Sequence, residues 1–311
     1  MKVCFGVDVG GSSVKMGLIN VDGEILEKWD IRTRTENEGF NILPDISASI
    51  EKKIKERGLN KDEIIGIGTG VPAPVNDAGV VFDTANLGWK YKEVKRELEE
   101  RTGLRTKVGN DANVAALGEM WKGSGEGHKD LVVVTLGTGV GGGIIVDGKS
   151  LTGANGAGGE IGHVKVNFKE RFPCGCGSYG CLEQYASAKG IARLARRRLK
   201  KERKKTILNK NRVSAKTVFD GVNLGDEVAI EIAQDFGEYM ARGLASIATT
   251  VDPSAFVIGG GVSKAGDVLF DFIKEPYQKY SFFANKKVEF VCASLGNDAG
   301  MIGAAKLLFI E

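Results

Sequence analysis

Two glycine-rich loops set the tightest constraint on how this chain folds. Gly10-Gly11 and Gly137–Gly143 each follow an apolar run, Lys2–Asp8 and Leu131–Leu136, and each leads on to an Asp-Gly pair, Asp22-Gly23 and Asp147-Gly148. The loops lie 127 residues apart (10 to 137) and the Asp-Gly pairs 125 apart (22 to 147). Asp-Gly favours a two-residue hairpin turn because both positions tolerate positive φ. Strand, glycine turn, strand and hairpin turn, recurring at that distance, read as an internal duplication. An α/β protein of two similar halves is expected, each half opening with antiparallel strands.

Apolar spacing fills in the rest. Leu43, Ile46, Ile50 and Ile54 predict a helix stopped by Gly58, and a second helix is expected from Asn110-Asp111 to about Trp121. Further helices are expected at 226–250, stopped by Asp252-Pro253, and after Gly259–Gly261 to about Glu275. The strands Ala255–Ile258 and Lys287–Cys292 flank the latter helix. The last helix, Ala299–Phe309, is expected to pack back on the first half, giving domains 1–115 plus 299–311 and 116–298.

The 311 residues, 42% hydrophobic and 27% charged, exclude a disordered chain or a small disulfide scaffold. The 44 glycines are about twice the usual ~7%, and they cluster after apolar runs as phosphate-cradling loops do. Only a short apolar run precedes Asp8, so no secretory signal is expected. The longest uncharged stretch, Leu131–Val146, is shorter than the ~20 apolar residues of a membrane span, so a cytoplasmic protein without membrane contact is expected. The net charge of +3 is local: Arg193–Lys205 holds nine Lys/Arg and one Glu, leaving 3 − 8 = −5 elsewhere. That run reads as a solvated helix face and not as a nucleic-acid site.

Five clusters carry chemistry. Asp8-Val9-Gly10-Gly11-Ser12 offers a carboxylate for hydrated Mg²⁺ and backbone N–H groups for phosphate, or an ordinary hairpin turn. Gly137-Thr138-Gly139 within the second loop, and Gly259-Gly260-Gly261 at a strand end, add two points of close backbone approach, which suits a nucleoside triphosphate. His163, Cys174, Cys176 and Cys181 supply four borderline or soft ligands, matching a closed tetrahedral Zn²⁺ site. Glu160 and Glu183 stand beside those ligands, where they suit recognition of neutral hydroxyls or are solvated surface glutamates. Asp111 follows a strand at a helix start; it reads as a helix cap or as the general base of a phosphoryl transfer.

Taken together these motifs resemble the ROK family (repressors, open reading frames and sugar kinases), over essentially the whole chain, and within it the bacterial ATP-dependent glucokinases. The resemblance implies a duplicated actin-like (ribonuclease H-like) fold with ATP and sugar in the cleft between two domains. It implies Asp111 as catalytic base, with Asn110, Glu160, His163 and Glu183 at sugar-binding positions and Asn86 joining them. It implies His163, Cys174, Cys176 and Cys181 as zinc ligands, and the three glycine segments as phosphate and adenosine contacts. Cofactors would be ATP, Mg²⁺ and structural Zn²⁺; the partner would be glucose or a related hexose, in a homodimer or homotetramer. Ser12 stands where the family usually has Thr, which keeps the hydroxyl. Other readings are a kinase of another hexose or N-acetylhexosamine, a non-catalytic sugar sensor, and a nucleic-acid binder using the basic run.

Overall fold

The structure, a computed structural model, describes residues 1–84 and 86–310. Ala85, inside the Thr84–Trp89 segment, and Glu311, the last residue of the expected first domain, lie outside the described residues. In chain order the main elements are β1 (Val3–Val9), β2 (Ser13–Asn20), β3 (Ile25–Arg32), α1 (Ile42–Arg57), β4 (Ile64–Val71), α2 (Val94–Thr102), β5 (Thr106–Asn110) and α3 (Asp111–Lys122). There follow β6 (Leu131–Leu136), β7 (Val140–Val146), β8 (Lys149–Ser150), α4 (Ala188–Leu199), α5 (Ala215–Asn223), α6 (Glu227–Val251), β9 (Ala255–Gly259), α7 (Val268–Tyr280), β10 (Glu289–Cys292) and α8 (Ala299–Lys306). The chain divides into two compact units, 1–129 with 143–159 and 294–311, and 130–142 with 160–293. The boundary drawn at 115/116 from the sequence falls inside α3.

In the first unit the strand order is β3-β2-β1-β4-β5. The opening meander is antiparallel, with Asp8 opposite Lys15, and β4 runs parallel to β1 and β5. Helix α1 buries Leu43, Ile46 and Ile50 against Phe5, Val7 and Met16 of the sheet. Each such side chain removed from water contributes about 1.5–3 kcal/mol. Gly58 ends α1 in the left-handed conformation, at φ 59. On the other sheet face, Met301, Ile302 and Ala305 of α8 pack with Cys4 and Ile19. The chain's last helix therefore belongs to the unit its first strand begins. Burial pushes the Cys4 thiol up to about 12, so it is an inert core residue.

The second sheet has the order β8-β7-β6-β9-β10, place for place that of the first, and the division between the units passes along β7 after Gly142. This is the expected duplication. Three expectations need correction. Gly141–Gly143 are not part of the loop but lie within β7. A Cβ at Gly142 would overlap the Ile161 side chain, so packing rather than phosphate requires this glycine. Helix α7 does not stop at Glu275; it runs through Pro276 to Tyr280, because fully buried Tyr277 packs edge-on against Phe256 and Phe290. Strand β10 begins at Glu289, since Phe283–Lys287 form a 3₁₀ turn pinned by Asn285 Nδ2, which donates to Asp252 Oδ1 at 2.6 Å. No helix among the described residues is long and apolar enough to cross a membrane.

Candidate active site

On the first unit, the turn after β1 is held from both sides. Gly10 N–H donates to Ser13 O at 3.0 Å, while Thr33 donates its hydroxyl to Gly10 O at 2.6 Å and its N–H to Ser12 O at 3.1 Å. Gly11 and Ser12 are exposed on that fixed frame, and Asn86 borders Gly11: a Cβ there would come within 3.3 Å of Asn86 Cβ. Asp8, at the end of β1, has its carboxyl pushed above the usual range by burial, against the opposing pull of Lys15 at 4.0 Å. A cation bound there would favour the ionised form.

Helix α3 is capped at its start by a single side chain. Asn110, not Asp111, is the cap: its Oδ1 accepts from the N–H groups of Ala112 at 3.0 Å and Asn113 at 3.2 Å, and its Nδ2 donates to Ala73 O at 3.2 Å. Asp111 occupies the first helical position, where Ala112 N–H donates to its Oδ1 at 2.8 Å. Sequence reasoning passed over Asn113. This side chain is 2% exposed, its Oδ1 has no hydrogen-bond partner among the described residues, and it borders a cavity of about 410 Å³ with Asn110 and Gly156.

On the second unit, Gly137–Gly139 form the turn between β6 and β7, with Gly137 N–H donating to Gly139 O at 3.0 Å. Ala188 N–H, at the start of α4, donates to Gly137 O at 2.9 Å and fixes the loop to that helix. Gly260 has φ 89, and a Cβ there would sit 2.6 Å from Leu136 O. Only glycine fits so close to the neighbouring strand end. Thr138 and Gly261 border a cavity of about 640 Å³ walled by Ala192 and Arg196 of α4 and Phe219 of α5. The glycines were legible in the sequence; the helical walls were not.

His163, Cys174, Cys176 and Cys181 converge, with all four ligand atoms within 4.8 Å of one another. Cys176 Sγ and Cys181 Sγ are 3.8 Å apart, the edge expected of a tetrahedron with Zn–S bonds of about 2.3 Å. His163 Nδ1 lies 3.9 Å from Cys174 Sγ, and its Nε2 lies 4.0 Å from Glu160 Oε2. One imidazole can therefore serve a metal with one nitrogen and face Glu160 with the other. Lys165 Nζ donates to Ser178 Oγ at 2.6 Å and to Cys181 Sγ at 3.0 Å, a charge suited to a thiolate. The donor set fits Zn²⁺.

Glu183 joins this cluster to the glycine loop. Its Oε2 accepts from Val140 N–H at 3.1 Å, and its Oε1 lies 3.7 Å from Cys174 Sγ. The loop carrying Cys174 is clamped in turn by Glu170, which accepts from Tyr185 Oη at 2.6 Å and pairs with Arg193 at 3.1 Å and Arg197 at 3.2 Å. Burial would raise this carboxyl, but the hydrogen bonds from Arg197 and Tyr185 outweigh it and hold the group well below the usual range. Part of the basic run thus has a structural task. The single acidic partner of Arg193 and Arg197, 23 and 27 residues upstream, gave no sequence signal.

The ROK family model matches residues 4–310. A glucokinase of Halalkalibacterium halodurans is 42% identical over 97% of this chain and 94% of its own length. Among solved structures, a ROK family glucokinase from Streptomyces griseus in complex with glucose and AMPPNP is similar at TM-score 0.74 and 33% identity, over 98% of each chain. A ROK hexokinase from Thermus thermophilus is similar at TM-score 0.82 and 29% identity, over 99% of this chain and 98% of that one.

Proposed function

Because the chain belongs to the ROK family, with its duplicated actin-like α/β fold, we propose that it is an ATP-dependent glucokinase, converting glucose and ATP to glucose 6-phosphate and ADP. The observation that carries this reading is the 42% identity to a glucokinase along almost the entire length of both proteins. The local chemistry supports it, since a fixed helix-start carboxylate and two glycine turns are the parts a sugar kinase needs.

In the proposed mechanism, Asp111 accepts the proton of the sugar 6-hydroxyl as that oxygen attacks the terminal phosphoryl group. Asn110 holds α3 so that the carboxylate has a defined origin. Sugar hydroxyls are met by Asn86, Asn110, Glu160, His163 and Glu183. The phosphates are met by the turns Gly10–Ser12 and Gly137–Gly139, through N–H groups other than those of Gly10 and Gly137, which close the turns, and the nucleoside by Gly259–Gly261. Asp8 would hold hydrated Mg²⁺, which when bound neutralises charge on the phosphate oxygens. His163, Cys174, Cys176 and Cys181 would hold Zn²⁺ as a structural clamp, with no ligand position left for chemistry. The same reading places the protein in the cytoplasm as a homodimer or homotetramer, which light scattering of the purified chain tests.

The decisive assay is ADP release with Mg-ATP over glucose, mannose, fructose, N-acetylglucosamine and N-acetylmannosamine. Glucose is expected to lead by a wide margin in kcat/KM. Preference for an acetamido sugar would overturn the substrate but keep the base. No turnover from zinc-replete protein would overturn the enzyme reading in favour of a sugar sensor.

A further inference from the structure

Helix α3 begins at Asp111, and its other end is tied down by a carboxylate that the proposed mechanism does not use. Glu119 is 2% exposed. Its Oε1 accepts from Leu295 N–H at 2.9 Å, and its Oε2 accepts from Ser294 N–H at 3.2 Å and Ser124 N–H at 3.1 Å. Burying a carboxylate is costly unless hydrogen bonds satisfy it, and N–H groups that donate to a charge bind about twice as strongly as to a neutral acceptor. The chain re-enters the first unit at Ser294, and Leu295 leads through the short turn Gly296–Asp298 into α8. The fit around the carboxylate is close: a Cβ on Gly123 would overlap Glu119 Oε2.

Along the rest of their contact α3 and α8 meet backbone to backbone. A Cβ on Gly118 would overlap Ala299 O, and one on Gly303 would overlap Val114 O. At its start α8 also closes on β1, since a Cβ on Gly300 would fall 2.7 Å from Asp8 Cγ. Helix α8 thus lies against both the Asp8 carboxylate and the helix that begins at Asp111. Glycine surfaces fix how near two helices come, but they are smooth and resist sliding poorly. Hydrogen bonds are directional, and those of Glu119 supply what the glycines lack.

We propose that Glu119 is a positioning residue for the phosphoryl transfer: by holding the segment that leads into α8, it fixes the register of α8 on α3 and so the placement of Asp8 relative to Asp111. The inference rests on the kinase reading of the site given above. Glu119 acts through the two aspartates and not by contact with the sugar. Transfer requires the metal carboxylate and the base at a set separation, so a slip of α8 lowers turnover and weakens the use of Mg²⁺. Binding of glucose does not depend on that separation.

The test is steady-state kinetics of the intact protein with glucose and Mg-ATP, comparing wild type with Glu119→Gln and Ile50→Val. Glutamine keeps the shape of the side chain but turns one accepting oxygen into a donor that faces a backbone N–H. In Glu119→Gln, kcat should fall by about 10–10²-fold, and the Mg²⁺ concentration for half-maximal rate should rise, while KM for glucose stays within about twofold of wild type. Ile50→Val loosens α1 in the core on the other face of the same sheet, so it should lower Tm and leave kcat unchanged. That contrast separates lost stability from lost register. Glu119→Asp keeps the charge but is one methylene too short to reach; it should behave as Glu119→Gln does and takes its place if the glutamine variant does not fold. Wild-type kcat in a folded Glu119 variant would overturn the proposal. So would a KM for glucose that rises in step with the fall in kcat, or an equal loss of kcat in Ile50→Val. A wild type that turns over no sugar at all would instead remove the kinase reading, and the proposal would fall with it.

Discussion

Glu183 accepts the backbone N–H of Val140 at 3.1 Å, and this contact ties the cysteine-bearing segment to the second glycine loop. One carboxylate thereby touches both the cysteine cluster and the glycine turn. The residue before Val140 must stay small, because a Cβ on Gly139 would overlap Glu183 Oε2. Gly139→Ala should therefore displace Glu183 and lower kcat/KM for glucose about 10²-fold, as misplacement by about 1 Å commonly does. Steady-state kinetics checks it. In Glu183→Ala the same glycine substitution should cost much less, and additive losses would show that the two residues act independently.

Asn110 and Asp111 are neighbours with separable tasks. Asn110→Ala removes the cap of α3 and should lower stability by about 1 kcal/mol, visible as a fall in Tm. Asp111→Asn should leave Tm close to wild type and lower kcat by about 10²–10⁴. Near-normal turnover in a folded Asp111→Asn protein would remove Asp111 from the role of base.

Glu170 should give the fold an acid limb. Its carboxyl is held below the usual range in the folded protein. The stability it contributes is therefore complete above its unfolded pKa, near 4.3, and is lost as pH falls below that value. Thermal melts from pH 7 down to pH 3 should show wild type losing Tm more steeply than Glu170→Gln below about pH 4. At pH 7 the variant should be about 2 kcal/mol less stable, since charged hydrogen bonds of this kind contribute about 1.5–3 kcal/mol. Parallel melting curves across the whole range would refute the clamp.

Metal analysis of the purified protein should find about one zinc per chain. Burial pushes the Cys174 thiol up to about 11, so its thiolate needs a cation to form at neutral pH. Extended chelation, or Cys181→Ser, should lower both Tm and the affinity for glucose, because Glu160 and Glu183 take their places from the cluster. Added Zn²⁺ should reverse the effect of chelation but not that of the substitution.

Asp8 should illustrate a conflict between stability and activity. Burial raises its pKa against the opposing pull of Lys15, so ionising it costs more in the folded protein than in the unfolded chain. Asp8→Asn should hold or raise Tm while lowering kcat by at least about 10²-fold in Mg-ATP. A marked loss of Tm would mean that the Lys15 pair outweighs burial.

Much of this was legible in the sequence, for stated reasons. Asp-Gly turns and apolar runs repeat along the chain, so the duplicated sheets could be read from local pattern. The His163, Cys174, Cys176 and Cys181 cluster spans only 19 residues, and short spacing of rare residue types is informative. What escaped was set by tertiary contact. Gly141–Gly143 looked like loop because glycine is uncommon in strands, yet Ile161 packs where a side chain would stand at Gly142. The helix expected to end near Glu275 runs on through Pro276 to Tyr280, because Tyr277 is buried. Glu170 and its arginines are brought together only by the fold.

Helix α8 has a consequence for how the protein is made. Residues 294–311 complete a unit whose first strand begins at Val3, whereas residues 160–293 lie within the other unit. On the ribosome the first-made sheet must wait, with Cys4 and Ile19 exposed on one face, until α8 emerges. The later-made unit has nearly all its chain by then and should gain structure first. Protease protection of stalled nascent chains should accordingly appear around α6 before it appears in β1 and β2.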